Sequence, residues 1–178
     1  MFQRLALFSA LALGLAACAA PAPLLGPDGR PLPQVYEIRS SEVNAIQFRM
    51  LDAVNALRQA AGAQPVTLNS ELRAAAATHA RDMSVQNRAW HFGSDGSSPL
   101  DRVARVGYAG EFLGEVVRET YESELETLAV WMERPDTRAV ILDRRANQLG
   151  FDWFQEPNGK IWWTMILGTS RPGADLQG

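Results

Sequence analysis

Cysteine, histidine and excess positive charge are the features that this sequence has least of. Its 178 residues include one cysteine, Cys18, so the chain cannot form an internal disulfide. Two histidines leave few places where imidazole could bind a metal or move a proton. Seventeen basic residues stand against 20 acidic ones, and the formal net charge is −3. This balance excludes nucleic acid as an expected partner.

The longest apolar run lies at the N-terminus, over residues 5–17, and follows a single positive charge at Arg4. Spanning a bilayer takes about 20 residues, so the run is too short for a permanent transmembrane helix. A basic start, a short apolar stretch and small residues at its end are typical of a secretory signal. The sequence therefore predicts that residues 1–17 are a cleavable signal peptide.

The predicted signal ends at Leu15-Ala16-Ala17-Cys18, which resembles a bacterial lipobox. In a lipobox the cysteine sulfur is lipidated before cleavage, and its acyl chains, such as palmitate, then hold the protein on a membrane. The alternative is an ordinary signal peptide that happens to contain a cysteine. The first reading predicts an exported protein anchored in the cell envelope through Cys18. Because position 19 is Ala rather than Asp, resemblance to Gram-negative lipoproteins implies the outer membrane.

The rest of the chain divides by composition into a tether, one domain and a short tail. Five prolines between residues 19 and 34 favour extended backbone, so residues 18–39 are predicted to be the lipidated cysteine and a semi-rigid spacer. Residues 40–170 are predicted to form a single domain, large enough to be stabilised by its apolar core. Residues 171–178 are predicted to be a C-terminal tail.

Hydrophobic spacing and capping residues predict five helices and three strands. The helices cover residues 42–61, 69–87 and 100–106, a segment from Ser123 to a break at Pro135, and residues 137–142. The strands cover residues 112–117, 148–155 and 160–168, the last two joined by a tight turn at 157–159. Helices first and a hairpin last indicate an α+β fold, with helices packed on a small antiparallel sheet.

Two residues, His91 and Glu115, are candidates for a functional site on their sequence context alone. His91 lies in a loop directly after a predicted helix, where side chains are free to serve a site. Glu115 is a carboxylate inside an otherwise apolar strand, which is costly unless the charge is paired or open to a cleft. Each also has a structural explanation, His91 as a loop residue that caps backbone groups and Glu115 as an edge-strand charge.

An ordered set of short motifs runs from residue 72 to residue 151. It comprises Leu72-x-x-Ala75-Ala76-x-x-His79-Ala80-x-Asp82-Met83, His91-Phe92-Gly93-Ser94-Asp95-Gly96, Asp101-Arg102, Gly107-Tyr108, Gly114-Glu115, Trp131-Met132 and Leu149-Gly150-Phe151. This set resembles the bacterial branch of the CAP superfamily, the SCP domains of cysteine-rich secretory proteins, antigen 5 and pathogenesis-related class 1 proteins. The resemblance covers roughly residues 45–168. It implies an α-β-α sandwich, consistent with the α+β prediction.

The resemblance also implies a cleft with two histidines and two glutamates, which holds a divalent metal in some family members. His91 and Glu115 match two of these positions. Thr137 stands where the second histidine would be, and Arg134 stands where the second glutamate would be, with Glu133 beside it. One His and one Glu are a poor cage for zinc. A threonine hydroxyl replaces imidazole neither as a ligand nor as a base near neutral pH.

Arg102 and His79 are the next candidates around this cleft. Arg102 is expected to pair with Asp101, Glu111 or Glu115; reaching Glu115, it would offset a buried charge. His79 lies well inside the second predicted helix, where a packed, satisfied histidine is the expected role and a metal-ligand role the alternative.

Tyr108 and the pair Trp162-Trp163 have two readings each. Tyr108 would either line the cleft beside His91 or form a corner packed on the core. For the tryptophans, strand neighbours point to opposite faces, so one is expected in the core and the other at the surface, available to a sugar or lipid. Asp95 is expected to hold its turn through a bond to the backbone at 96–97.

Three hypotheses about function follow. The first is a non-catalytic binding module of the cell envelope, with a cleft of His91, Glu115, Thr137, Arg102 and Tyr108 that takes a lipid, a glycan or an envelope protein. The second is a hydrolase in which His91 and Glu115 act as base and orienting group or hold a metal, zinc above all, that activates water. The third is a purely structural envelope protein, with no ligand-sized cleft around these residues.

Overall fold

The computed structural model describes residues 35–170. The predicted signal peptide, the lipidation of Cys18, most of the tether and the tail at 171–178 lie outside the described residues. Within residues 35–170, no helix combines the length and the apolar character that a membrane crossing requires.

The described chain folds into five α-helices and four strands. The helices are α1 (Val43–Ala60), α2 (Ser70–Gln86), α3 (Pro99–Arg105), α4 (Glu124–Glu133) and α5 (Pro135–Ile141), and a 3-10 turn at Ser40–Glu42 leads into α1. The strands are β1 (Thr67–Leu68), β2 (Glu111–Thr120), β3 (Gln148–Gln155) and β4 (Ile161–Thr169). All five predicted helices and all three predicted strands are present, with ends shifted by a few residues.

Capping residues set the starts of the helices. Asn69 accepts a hydrogen bond from the Leu72 backbone N–H at 2.8 Å and begins α2. The Ser123–Glu126 capping box begins α4. The predicted break at Pro135 is confirmed, because α4 ends at Glu133, and Pro135 itself occupies the first turn of α5. That position needs no backbone N–H, and the fixed φ of proline suits it.

The four strands form one sheet in the order β1-β3-β4-β2. β4 is antiparallel to both β3 and β2, as the predicted hairpin requires. The two-residue β1 pairs parallel to β3 and was not predicted, because two residues show no periodicity. The sheet is therefore mixed at one edge, and the α+β prediction is confirmed.

Helices cover both faces of the sheet. Leu72, Ala76 and Ala80 of α2 are buried on one face, and Ile46 of α1 and Leu128 of α4 are buried on the other. This gives the α-β-α sandwich that the resemblance implied.

Trp162 and Trp163 are both buried because helices cover both faces of the sheet. Trp162 packs beside Met83 of α2, whereas Trp163 stacks on Phe151 in the other core, and both side chains are fully buried. The expectation that one of them reaches the surface is wrong. Alternation does send them to opposite faces, but neither face is open to solvent.

Candidate functional site

The structure brings His91 and Glu115 into contact. Nδ1 of His91, in the loop after α2, lies 3.0 Å from Oε1 of Glu115, in the middle of β2. Half of the His91 side chain is exposed, whereas only 1% of the Glu115 side chain is. The two groups therefore meet as predicted, but only the imidazole reaches solvent. The expectation that Glu115 lines an open cleft together with His91 is wrong, because the carboxylate is enclosed by the surrounding loop, helices and strand.

Arg102 accounts for the buried charge of Glu115. Its Nη2 lies 2.9 Å from each carboxylate oxygen of Glu115, in a side chain that is 5% exposed. The same guanidinium donates to the backbone carbonyls of His91, at 3.0 Å, and Ser97, at 3.3 Å. A buried ion pair repays its desolvation only when such additional hydrogen bonds are made. Of the partners considered for Arg102, the structure selects Glu115.

His79 completes the layer beneath the loop. It is fully buried on α2, and its Nε2 lies 2.8 Å from the Trp90 carbonyl and 3.7 Å from Oε1 of Glu115. Because a carbonyl can only accept, we assign the proton to Nε2. Burial lowers the pKa of His79 below its ordinary value, more than the nearby Glu115 carboxylate raises it. A neutral imidazole is therefore the expected form, and the geometry is that of a backbone support.

His79, Arg102 and Glu115 together form what we call the buried support. His79 holds the carbonyl of Trp90, Arg102 holds the carbonyl of His91, and Glu115 holds the His91 ring. Three fully or nearly buried side chains from α2, α3 and β2 thus fix both the backbone and the ring of one exposed histidine. A side chain locked in this way presents its remaining nitrogen, Nε2, in a constant direction.

A cleft of about 260 Å³ opens beside His91, where β2 meets the corner between α4 and α5. It is lined by Ala89, His91, Val117, Arg118, Val130, Trp131, Arg134, Asp136 and Thr137. Thr137 thus lies in the cleft with His91, as the resemblance implied. Its hydroxyl donates to the Trp131 carbonyl and ties the start of α5 to the end of α4.

The charged groups of the cleft are mostly paired with their own neighbours. Nη2 of Arg118 lies 3.0 Å from Glu122, and Nη2 of Arg134 lies 2.8 Å from Asp136. Both arginines keep other N–H donors at the cleft wall, since each guanidinium carries five. Arg118 was not singled out from the sequence, because it joins the site only where β2 passes the α4–α5 corner.

Arg102 and Tyr108 do not line this cleft. Arg102 faces a separate cavity of about 310 Å³ between α2, α3 and the loop at 93–98. Tyr108 packs in a core cluster beside Ile166 and donates to Gln148, and burial raises its pKa to about 12. Placing Tyr108 in the cleft is therefore wrong. The ring fills space that two nearby residues without side chains, Gly110 and Gly168, leave open.

The donor set at the four family positions does not suit a divalent metal. Both oxygens of Glu115 are engaged by Arg102, and the Thr137 hydroxyl is engaged by a carbonyl. A guanidinium, Arg134, stands at the fourth position, and zinc asks for three or four N, S or O ligands. Within residues 35–170, no three His, Cys, Asp or Glu side chains come together closely enough to bind a metal ion.

Comparison with known proteins identifies the family. The family model described as the cysteine-rich secretory protein family, CAP, matches residues 51–167. The chain belongs to this family. The matched residues run from within α1 to near the end of β4, so nearly the whole described region is a CAP domain.

Known relatives are distant in sequence but share the fold. The YkwD protein of Bacillus subtilis strain 168 is 25% identical over 128 residues, which are 72% of this chain and 49% of YkwD. The chain thus spans about half the length of this relative. An outer surface protein of Borrelia burgdorferi superposes with a TM-score of 0.67 at 12% identity, over 78% of this chain and 100% of that protein. An extracellular SCP-domain protein of Bacillus anthracis superposes with a TM-score of 0.66 at 16% identity, over 76% of this chain and 45% of that protein.

Proposed function

We propose that this chain is an exported, lipid-anchored protein of the bacterial cell envelope whose CAP domain binds a small polar ligand without turnover. Export and anchoring rest on the signal-like residues 1–17 and the lipobox-like ending at Cys18. Two structural relatives, an outer surface protein and an extracellular protein, support export from the cell. In a Gram-negative host, Ala19 at the position after the cysteine would direct the protein to the outer membrane.

The observation that carries the binding role is the use of Glu115 as a support. A carboxylate that is 1% exposed and paired with Arg102 positions His91 but does not itself meet a ligand. The cleft then offers one oriented imidazole, with no unpaired carboxylate beside it among the described residues. General acid–base chemistry at neutral pH commonly uses a pair of such groups with different proton affinities. A single fixed polar group on a cleft wall is more typical of a ligand-binding site than of a catalytic site.

The lining of the cleft indicates the chemistry of the ligand. Arg118 and Arg134 provide N–H donors, and Val117 and Val130 provide an apolar wall. Nε2 of His91 provides an acceptor, because Nδ1 carries the proton that the Glu115 carboxylate accepts. A volume of about 260 Å³ is close to the lower end of small-molecule sites, roughly 300 Å³. Hydroxyl- or carboxylate-bearing groups of that size, as glycans and lipid headgroups carry, fit these donors. An envelope protein would have to insert a single acidic or hydroxyl side chain.

A hydrolase is the second candidate, and the 3.0 Å contact between His91 and Glu115 favours it. A carboxylate on Nδ1 orients an imidazole and stabilises its protonated form, which leaves Nε2 able to take a proton from water. The base would act alone, since the Thr137 hydroxyl is bonded to a backbone carbonyl.

Native mass spectrometry of the chain purified from its own envelope tests the binding role. We expect a small passenger that is present in the wild-type chain and lost from His91→Asn. Asparagine keeps a donor at the Nδ1 position for Glu115 but removes Nε2, so the fold and the buried support are retained. Arg138→Asn, on exposed α5 outside the cleft lining, is the matched control and should keep the passenger.

An empty wild-type chain would contradict the binding role and favour a purely structural protein. Turnover of envelope glycans or lipids by the wild-type chain, abolished in His91→Asn, would replace the binding role with the hydrolase. Calorimetry with zinc addresses the metal version separately, and saturable binding lost in His91→Asn would contradict the reading of Glu115 as a support.

A further inference from the structure

One end of the domain carries exposed apolar residues next to cations. Val85, near the end of α2, is 77% exposed, and Phe92, in the following loop, is 48% exposed. Arg81 and Arg88 are exposed beside them, and Trp90 is half-buried between Arg88 and Phe92. We call Arg81, Val85, Arg88, Trp90 and Phe92 the α2-end surface.

The aromatic part of this surface is ordered by its own contacts. The Arg88 guanidinium lies 4.0 Å from the centre of the Trp90 ring, and the Phe92 ring lies 5.5 Å from it. Nε1 of Trp90 donates to Gln86 at 2.8 Å, which holds the indole at the end of α2. Neither Arg81 nor Arg88 has a carboxylate partner within residues 35–170, so both cations remain available to an outside anion.

The α2-end surface lies at the end of the domain where the tether arrives. Val35, the first described residue, packs against Gly159 in the β3–β4 turn. That turn is joined to the end of α2 twice, by Ser84 to Glu156 at 2.8 Å and by Lys160 to Asn87 at 3.0 Å. Cys18 precedes Val35 in the chain with 16 residues between them. The chain therefore enters the domain beside the α2-end surface, within 16 residues of the proposed anchor.

The chemistry of the surface matches that of a phospholipid interface. Tryptophan and tyrosine side chains are enriched where acyl chains meet headgroups, because their rings are apolar and carry one polar group. Arginine binds phosphate through several N–H donors while its stem rests on apolar groups. Exposed Val85 and Phe92 would lose their unfavourable contact with water at the headgroup boundary.

We propose that the α2-end surface docks on the phospholipid bilayer that carries the lipid anchor, with Trp90 and Phe92 at the level of the headgroups. This inference rests on the proposed anchoring at Cys18. It orients the domain, because the loop that holds His91 would then lie next to the membrane. A ligand of the His91 cleft would accordingly be reached at the lipid surface.

Tryptophan quenching by brominated lipid tests the docking. The lipidated full chain is reconstituted in vesicles of phosphatidylethanolamine and phosphatidylglycerol, with or without bromine on the acyl chains. Trp131, Trp162 and Trp163 are buried, whereas Trp90 and Trp153 are both partly exposed, so single variants of these two identify the tryptophan that lipid quenches. We expect bromolipid to reduce the fluorescence of the wild-type chain and to leave that of Trp90→Phe unchanged. Trp153→Phe should retain the quenching.

Reversing a charge on the α2-end surface provides a second test of the docking. Arg88→Glu should weaken the quenching, whereas Arg138→Glu, on α5 away from this surface, should not. Flotation of the same vesicles reports anchoring separately. If the protein floats with the vesicles but Trp90 is not quenched, the docking proposal is wrong and the anchoring proposal stands. If added vesicles quench Trp90 but the protein does not float with them stably, the docking proposal stands and the anchoring proposal is wrong. If neither quenching nor flotation is seen, both proposals are wrong.

Discussion

Nη2 of Arg102 lies 2.9 Å from both oxygens of Glu115, and only 5% of the Arg102 side chain and 1% of the Glu115 side chain are exposed. The pair lies directly beneath His91, and Arg102 also donates to the His91 carbonyl. A carboxylate that looks like a catalytic or metal-binding group in the sequence is therefore held in an ion pair by the structure. The exposed chemistry of the site is left to the histidine above it.

Removing Arg102 should destabilise the domain strongly. Arg102→Met leaves the Glu115 charge buried without its partner, and breaking a buried pair in this way costs about 3–5 kcal/mol. The free energy of unfolding in urea measures the loss. Adding Glu115→Gln should recover part of it, because the unpaired charge is then gone. Arg105→Met, which breaks the exposed pair with Asp95, should cost far less, because solvent-exposed ion pairs contribute little to stability. Equal losses in the two single variants would contradict the interpretation of Arg102 and Glu115 as a buried pair.

Arg58 should be as important to stability, although it has no part in the site. This buried guanidinium donates to the carbonyls of Gln64, Ile141, Asp143 and Ala146, at 2.7 to 3.1 Å. Its substitution by Met leaves these acceptors unpaired, at about 1–3 kcal/mol for each one that water cannot reach.

The expected result for Arg58→Met is a chain that unfolds at much lower urea concentration or fails to accumulate. Arg58→Lys keeps up to three donors and should lose less. A loss no greater in Arg58→Met than in Arg138→Met, at an exposed position, would show that the four hydrogen bonds contribute little.

Stability should fall in mild acid because of His79. Burial lowers its pKa, so the folded state keeps the ring neutral while the unfolded chain takes up a proton below about pH 6.5. The unfolded state then binds more protons, and stability decreases as pH falls, by at most about 1.4 kcal/mol per pH unit, until the folded pKa is reached.

His79→Gln isolates this contribution. Glutamine can still donate to the Trp90 carbonyl but does not titrate, so its free energy of unfolding should fall less between about pH 7.5 and pH 5 than that of the wild-type chain. Identical pH dependence in the two chains would mean that His79 is not kept neutral by the fold.

Gly150 should resist even the smallest side chain. A Cβ at this position would overlap the backbone of Leu72 and Arg73 in α2, which packs directly on β3. Since helix backbone cannot move aside as a side-chain end can, Gly150→Ala should cost about 1–3 kcal/mol, measured by thermal or urea unfolding. Gly114→Ala meets only the side chain of Val140 and should cost less. The reverse order would show that the α2–β3 spacing is adjustable.

Sequence reasoning succeeded where the signal was local. Asn69 and the Ser123–Glu126 box start helices through bonds to residues three positions away, and those bonds appear in the structure. Sequence reasoning left Tyr108 undecided between the cleft and the core, and it was wrong about the Trp162-Trp163 pair. Their positions depend on elements far away in the chain, namely the open space at Gly168 and the helices on both faces of the sheet.

The sequence by itself determined the helices, the hairpin, the family and two members of the site, because periodicity, caps and ordered motifs are written in short stretches of chain. Only the tertiary structure decided what those members do. A carboxylate's role depends on what surrounds it, and the neighbours of Glu115 come from α2, α3 and a loop that no spacing rule connects to β2. Because Glu115 is buried and paired with Arg102, it supports His91, and only His91 of the two reaches the cleft.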